Sequence, residues 1–382
     1  MSLEIYFKPI HEIEFSKNSI GSFVDGYVNS FPEWELSDIV FLTINENRGN
    51  SSENSKETDH YSIRNKLYNF KWEGTLTISD LGVLDAGSTL KDTYAALKEI
   101  TFEIQKKGKL LCLLGGSQDL TFANYLGYEK LEQPINLTCI DNSFDVVVDQ
   151  DLEISDKNYI NHLLLHNPNY LFNFSILGCQ QYYVGSDDIR FFDELFFDYV
   201  RLGELQNTIS KSEPILRNTD LLSVDLSSFR SSEFQNSNTA HPNGFFAHEM
   251  CQMIKYAGLS DKISSVGFYN LKSGAISEVD SELVAQLVFF LILGFSQRKN
   301  DFPVGSKKDL IKYYVYHEDS KHNLIFHKST KTERWWLEVP YPPAKDFKFE
   351  RHHLIPCNYE DYKIAQNGII PDLWWKTYRK LN

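Results

Sequence analysis

A chain of 382 residues, 42% hydrophobic and 14% aromatic, holds enough apolar material for a large core, as one big α/β domain or two smaller ones. Its 52 acidic against 38 basic residues give a formal net charge of −14, which argues against nucleic acid or an anionic membrane as partner and for plain solubility. No apolar run reaches the roughly 20 residues of a membrane span, and the opening MSLEIYFKPI has neither a basic n-region nor an apolar h-region. Five cysteines without C-x-x-C spacing (Cys112, Cys139, Cys179, Cys251, Cys357) suit a reducing, cytoplasmic compartment.

In chain order, Ser37–Ile44 predicts a first buried strand. Asn45–Asp59, rich in Asn, Ser and charge, predicts a surface loop, and Tyr61–Phe70 a short helix. TLTISDLG predicts a strand, Ser88–Lys107 a helix and KLLCLLGG another strand. The runs INLTCIDNS, FNFSILGCQ, DLLSVDLSS and ISSVGFYNL each end in polar or small residues, with helix-like segments between several of them. LVAQLVFFLILGF (Leu283–Phe295) is short and holds a Gln, so it predicts a buried helix. Continuous apolar runs alternating with helices indicate a parallel sheet covered on both faces. From about Asp301 the pattern changes to alternating or aromatic strands (IKYYVYHED, NLIFHKS, RWWLEVPY) and a closing helix-like DLWWKTYRKL. Residues 1–300 are therefore expected to form the α/β domain. Residues 301–382 form an aromatic-rich C-terminal extension packed on it, with Trp335, Trp336, Trp374 and Trp375 as core or interface anchors.

Three strand ends carry the candidate chemistry: GGSQDLT, CIDNSFD and LLSVDLSSF. All belong on one edge of a parallel sheet, where ligands bind, so Asp141, Asp145 and Asp225 should converge there. Carboxylates gathered in this way raise one another's pKa unless a cation intervenes. The plainer alternative is that each is a helix cap or turn residue.

In order and spacing these segments resemble the arginase family, the ureohydrolases that include agmatinase and formimidoylglutamase. Its members carry G-G-x-H, D-A-H-x-D and S-x-D-x-D at these strand ends. The ligands hold two manganese ions that activate a hydroxide to attack a guanidinium or formimino carbon. The resemblance implies a three-layer α/β/α fold with a mostly parallel sheet of about eight strands. It places Asp141, Asp145 and Asp225 at ligand positions, and Gln118, Ser143 and Ser227 where two histidines and an aspartate would stand. SIRNKLYNF resembles the family's early I-R-x-x-L segment. SDLGVLDAG resembles a D-x-G-D strand end, with Val83 replacing the acid. NTAHPNGFFAHE keeps Gly244 and Glu249 of a further motif, and Asn270 falls where a substrate-facing Glu would be.

Half of the ligand set is thus absent, and a Gln amide and Ser hydroxyls are weak donors for manganese. The resemblance then implies a formimidoylglutamase-like protein with a degenerate metal site, non-catalytic or altered in function. One alternative is a hydrolase of linear amidine or formimino compounds using a rebuilt site. Another is an assembly subunit acting through its tail. No cofactor is expected. Mn is the family metal if the site functions, and Asp141, Asp145 and Asp225 suit at most one weak Mg²⁺ or Ca²⁺. Expected partners are a small amidine or amino-acid-like ligand and, through the tail, a second copy or another protein. Asn270, Glu249, His162 and His241 are cleft candidates. His166 and His248 neighbour them. His317, His322 and His327 with Arg351–His353 lack finger-like spacing, and Ser223 lacks a nucleophile-elbow motif.

Overall fold

The computed structural model describes residues 2–50, 58–147, 153–237, 239–303, 308–316, 323–341 and 347–381. Its main sheet has the strands β1 (Phe7–Lys8), β2 (Val24–Gly26), β3 (Ile39–Asn45), β4 (Ile78–Asp85), β5 (Leu110–Leu114), β6 (Ile135–Ile140), β7 (Leu171–Cys179), β8 (Asp198–Arg201), β9 (Leu221–Asp225) and β10 (Ser265–Tyr269). They run in the order β1-β4-β3-β5-β10-β9-β6-β7-β8, with β2 pairing β4. All pairs are parallel except β1–β4. The strand count is ten rather than about eight, because β1, β2 and β8 are too short to stand out as apolar runs.

The central strands are buried on both faces, and alternate side chains feed opposite cores. Cys112 and Leu114 of β5 join the cluster beneath α1 (His60–Asn69), while Leu111 and Leu113 join that beneath α2 (Leu90–Lys106). Helices α3 (Leu120–Glu129), α4 (Tyr159–Leu165) and α5 (Ser186–Glu194) continue the α2 layer. Helices α6 (Leu202–Asn207), α7 (Ser212–Arg217), α8 (Ala247–Gly258) and α9 (Glu278–Ser296) continue the α1 layer. A Thr89–Asp92 capping box starts α2, satisfying amides that have no intrahelical partner. Helix α9 is longer than its apolar run, and its 19 residues would suit a membrane span by length and composition. Here its apolar residues Leu283, Val284, Leu287 and Leu291 are buried in the core under α1 and α8.

The predicted surface loop at Asn45–Asp59 differs from expectation. Glu46, Asn47 and Asn50 are buried, Asn45 ends β3 and Asp59 caps α1; residues 51–57 lie outside the described residues. Glu46 is partnered by Arg48 and by the Thr93 hydroxyl (2.6 Å), and Asn47 Nδ2 donates to Ser273 Oγ (3.0 Å), bonds that offset the cost of placing polar side chains inside.

The C-terminal segment forms its own antiparallel sheet, β11 (Leu310–Val315), β12 (Leu324–Ser329), β13 (Trp335–Glu338) and β14 (Leu354–Cys357), followed by α10 (Tyr359–Gln366) and α11 (Asp372–Leu381). Trp335 and Trp374 lie in its core. Trp336, fully buried, lies 4.6 Å from the guanidinium of Arg217 on α7. Arg217 also donates to the backbone oxygens of Trp335 and Cys357, both at 3.1 Å. Trp375 is 45% exposed and does not serve as a buried anchor. His317 and His322 lie outside the described residues.

Candidate functional site

Strands β5, β10, β9 and β6 are neighbours at the centre of the sheet, and their carboxyl ends deliver Gln118, Asn270, Asp225 and Asp141 to one place. Two glycines with left-handed φ, Gly115 (94°) and Gly116 (79°), turn the chain from β5 toward α3. A Cβ at Gly115 would come within 2.6 Å of the His60 ring, and one at Gly116 within 2.9 Å of the Glu46 carbonyl, so only glycine fits. Beyond them, the Gln118 amide N–H donates to Asn270 Oδ1 (3.1 Å) and its Nε2 to Ser223 Oγ (3.4 Å). Asn270 sits at φ 61° and donates through Nδ2 to Asp225 Oδ2 (3.0 Å). The other Asp225 oxygen receives the Ser227 N–H (2.7 Å). Asp141 Oδ1 receives the N–H groups of Asn142 (2.6 Å) and Ser143 (3.1 Å), and the Ser143 hydroxyl donates to Asp145 Oδ1 (2.8 Å).

The six residues aligned with family ligands therefore form one polar cluster, and all but Ser143 are buried. Burial, then the charges of Asp145 and Asp225, push the Asp141 carboxyl well above the usual carboxylate range. Burial also raises Asp225, while Lys157 works against the rise.

Two members of the cluster escaped sequence reading. Lys157 Nζ lies 3.7 Å from Asp145 Oδ1 and 3.9 Å from Asp156 Oδ2. Its own pKa is raised, by Asp145 first and by Asp225, Asp141 and Asp156 as well. Asp156, buried, is pushed up to about 7, chiefly by desolvation. Both lie in the polar stretch ISDKN, where no motif or periodicity marks them.

Three buried oxygens in this cluster have no hydrogen-bond partner among the described residues: Gln118 Oε1, Asp141 Oδ2 and Asp145 Oδ2. Unsatisfied buried lone pairs are rare and costly, and water, a cation or a polar ligand group would satisfy them. The donor set is nonetheless a poor match to a manganese pair. Three of the six positions are neutral oxygen donors, and Lys157 already brings a positive charge to the carboxylates. Among the described residues no group of three or more His, Cys, Asp or Glu side chains is arranged to hold a metal ion.

The remaining candidates divide. His241 stands near enough to the cluster to feel Asp225 and Lys157. Its pKa is lowered, mainly by burial, and its Nδ1 lies 2.8 Å from the Tyr183 hydroxyl. Glu249 is not a cleft residue: it turns back to accept the Phe246 N–H (2.9 Å) and caps α8. Gly244 beside it is needed for space, since a Cβ would come within 2.4 Å of the Arg230 nitrogen. His162 and His166 pack on α3 through Phe122, with His166 3.5 Å from Glu129, rather than on the carboxylates. His248 is exposed and stacks on Phe246. His327 lies 2.6 Å from Glu338 Oε2. Arg351 reaches Asp220 (2.8 Å), and His352 the Pro134 carbonyl (3.1 Å), so these groups fasten the extension to the main domain. Ser223 is buried against the Thr121 hydroxyl at 2.7 Å.

Parallel strands wrapped by helices, with polar side chains converging at the carboxyl edge, define an α/β protein of the class that binds ligands at its strand ends. More narrowly, the fold is that of the arginase/ureohydrolase family. The chain is similar to a Trypanosoma cruzi formiminoglutamase in a structure with Mn2+, at 18% identity and a TM-score of 0.64 over 71% of this chain and 97% of that one. Similar too are a formimidoylglutamase from Bacillus subtilis (12% identity, TM-score 0.64, 73% and 92% covered) and the agmatine ureohydrolase of Thermoplasma volcanium (16%, 0.58, 74% and 96%). No family model and no curated protein matches the sequence.

Proposed function

We propose that this chain is a formimidoylglutamase-like protein of the ureohydrolase fold whose dinuclear manganese site is degenerate. It no longer hydrolyses amidines by the metal-hydroxide route and keeps its strand-end cleft for binding a small molecule or a partner. The observation that carries the reading is Lys157, whose ammonium lies 3.7 Å from Asp145 and 3.9 Å from Asp156. It supplies one positive charge where the fold's enzymes would need metal cations. The replacement of two imidazoles and one carboxylate by Gln118, Ser143 and Ser227 supports it further. Asn270, donating to Asp225, adds no negative charge that would draw a cationic substrate. Five buried free cysteines agree with a reducing compartment.

The test is metal analysis of protein purified without chelators, calorimetry with Mn²⁺, and assays on arginine, agmatine and N-formimino-L-glutamate. The expected result is less than one manganese per chain and no turnover. Tight uptake of two Mn²⁺ with hydrolysis of any of these overturns the reading. The three unpartnered oxygens favour a second reading, a single hard cation held by Asp141, Asp145 and Asp225 in a rebuilt hydrolase. Saturable one-site Mg²⁺ binding that switches on amidine hydrolysis would select it.

A further inference from the structure

Next to the acidic cluster lies a cleft of opposite character. The Gln180 N–H donates to the Asn142 carbonyl (2.9 Å), tying the loop after β7 to the residue that follows Asp141. That loop, the end of β8, α6 and the segment carrying Gly244 enclose about 680 Å³. Two arginines line it, Arg201 at the end of β8 and Arg230 after β9. Among the described residues neither is joined to a carboxylate. The acidic residue in the lining, Glu204, is turned to Lys211 at 3.5 Å.

Arg230 is held in place, its guanidinium 4.2 Å from the centre of the Phe246 ring, and its buried Nε–H has no acceptor among the described residues. The neighbouring side chains are engaged with one another. Gln180 Nε2 donates to the Asn243 carbonyl (3.3 Å), the Tyr182 hydroxyl to Gln180 Oε1, and Gln206 Nε2 to the Gly244 carbonyl (3.3 Å). The walls are thus fixed while the two cationic forks stay uncompensated, in a protein of net charge −14.

We propose that this cleft binds a small-molecule oxyanion, a carboxylate or phosphate group clamped between Arg201 and Arg230. A guanidinium presents parallel N–H groups that match either anion, and such charge-assisted bonds are stronger than neutral ones. The site stands apart from the metal reading, because it shares no residue with the carboxylate cluster.

The test uses the full chain, with thermal melts and calorimetry against sodium phosphate and against glutarate, each compared with sodium chloride at equal ionic strength. One anion or both should raise the melting temperature and bind once per chain. Arg201→Ala and Arg230→Ala should each weaken that binding about tenfold or more, the cost of a lost charged hydrogen-bond partner. Arg201→Lys, which keeps the charge and loses the fork, should fall between. Arg190→Ala, removing an exposed guanidinium that meets Asp187, should bind as the parent does. A response to phosphate alone assigns a phosphorylated ligand, and a response to glutarate alone assigns a carboxylate. The inference is overturned if neither anion exceeds the chloride control. It is equally overturned if Arg201→Lys with Arg230→Lys, folded by circular dichroism, binds as tightly as the parent. Added chelator should change nothing, which separates this outcome from that of the metal experiments.

Discussion

Asp80 and Asp141 are both carboxylates buried in the same sheet, and their surroundings could hardly differ more. Asp80 receives Arg64 Nε (2.7 Å) and Nη2 (3.0 Å), the Tyr68 hydroxyl (2.6 Å) and the Gly82 N–H (2.9 Å). Among the described residues Asp141 receives two backbone N–H groups on one oxygen and nothing on the other. Burial works against the Arg64 charge, yet Asp80 outweighs it and the guanidinium pKa is raised. Around Asp141 burial and like charges act together, and the cation that opposes them, Lys157, is half exposed. A closed ion pair in the core is architecture. A cluster left short of positive charge has the incompleteness of a binding site.

The comparison breaks most visibly at Arg64. Arg64→Ala strands a buried Asp80 and should cost about 3–5 kcal/mol in urea unfolding; a loss below 1 kcal/mol would mean that the pair is not the fixed element described here. Next in size is restoration of the family ligand set with Gln118→His, Ser143→His and Ser227→Asp. If those side chains occupy ligand positions, the variant should gain manganese affinity. At a hundredfold excess over Kd the metal would then stabilise it by about 2.7 kcal/mol. Without metal it should melt below the parent, since Ser227→Asp adds a carboxylate to a crowded site. A variant that takes up no manganese refutes the positional correspondence.

Much of this contrast was legible in the sequence. LLCLL becomes a strand buried at every position, because a strand covered on both faces needs no polar alternation. The ends of four such runs supplied Gln118, Asp141, Asp225 and Asn270 directly. Strand β8, half-buried throughout, gave no such signal. Lys157 and Asp156 were invisible for a different reason: their role depends on Lys157 lying 3.7 Å from Asp145 in the fold, and charged loop residues look alike in sequence. Glu249 was misplaced because motif resemblance set it in the cleft, whereas its place three residues after the N-cap Phe246, whose free N–H it accepts, was the better guide. In the extension, β14 was missed at LIPC. Pro356 has no N–H for a ladder and is tolerated because β14 is an edge strand.

The two regions should also respond to pH with opposite sign. His60, beside Arg64, is held neutral by burial, its pKa lowered from 6.5 to about 3. The unfolded chain takes up that proton first, so its contribution is intact above pH 6.5 and is lost as pH falls toward 3. Asp156 is raised from 3.8 to about 7. The folded chain holds that proton, so the contribution is present below pH 3.8 and is lost as pH rises through 7. His60→Gln should flatten the acid limb, and Asp156→Asn should remove a decline of about 2 kcal/mol between pH 4 and 8. Urea midpoints measured across that range decide it; parallel curves for parent and Asp156→Asn would place the carboxyl in ordinary solvent.

The smallest effect is the most telling. Lys157 is 53% exposed, so screening limits its attraction to the carboxylates, and Lys157→Ala should cost no more than about 1 kcal/mol at moderate salt. The cost should grow as ionic strength falls, because the charges left behind repel over a longer range. What the substitution removes is a cation that the cluster holds in common, since Asp145, Asp225, Asp141 and Asp156 all raise its pKa. Asp141 and Asp145, each with an unpartnered oxygen, would then be open to a divalent ion. Mg²⁺ or Mn²⁺ should therefore restore the melting temperature of Lys157→Ala while leaving the parent unmoved. Lys157→Met, which keeps the bulk of the stem, should recover less. Equal metal responses in parent and variant would show that the lysine does not hold the position, and that the carboxylates are balanced by some other means.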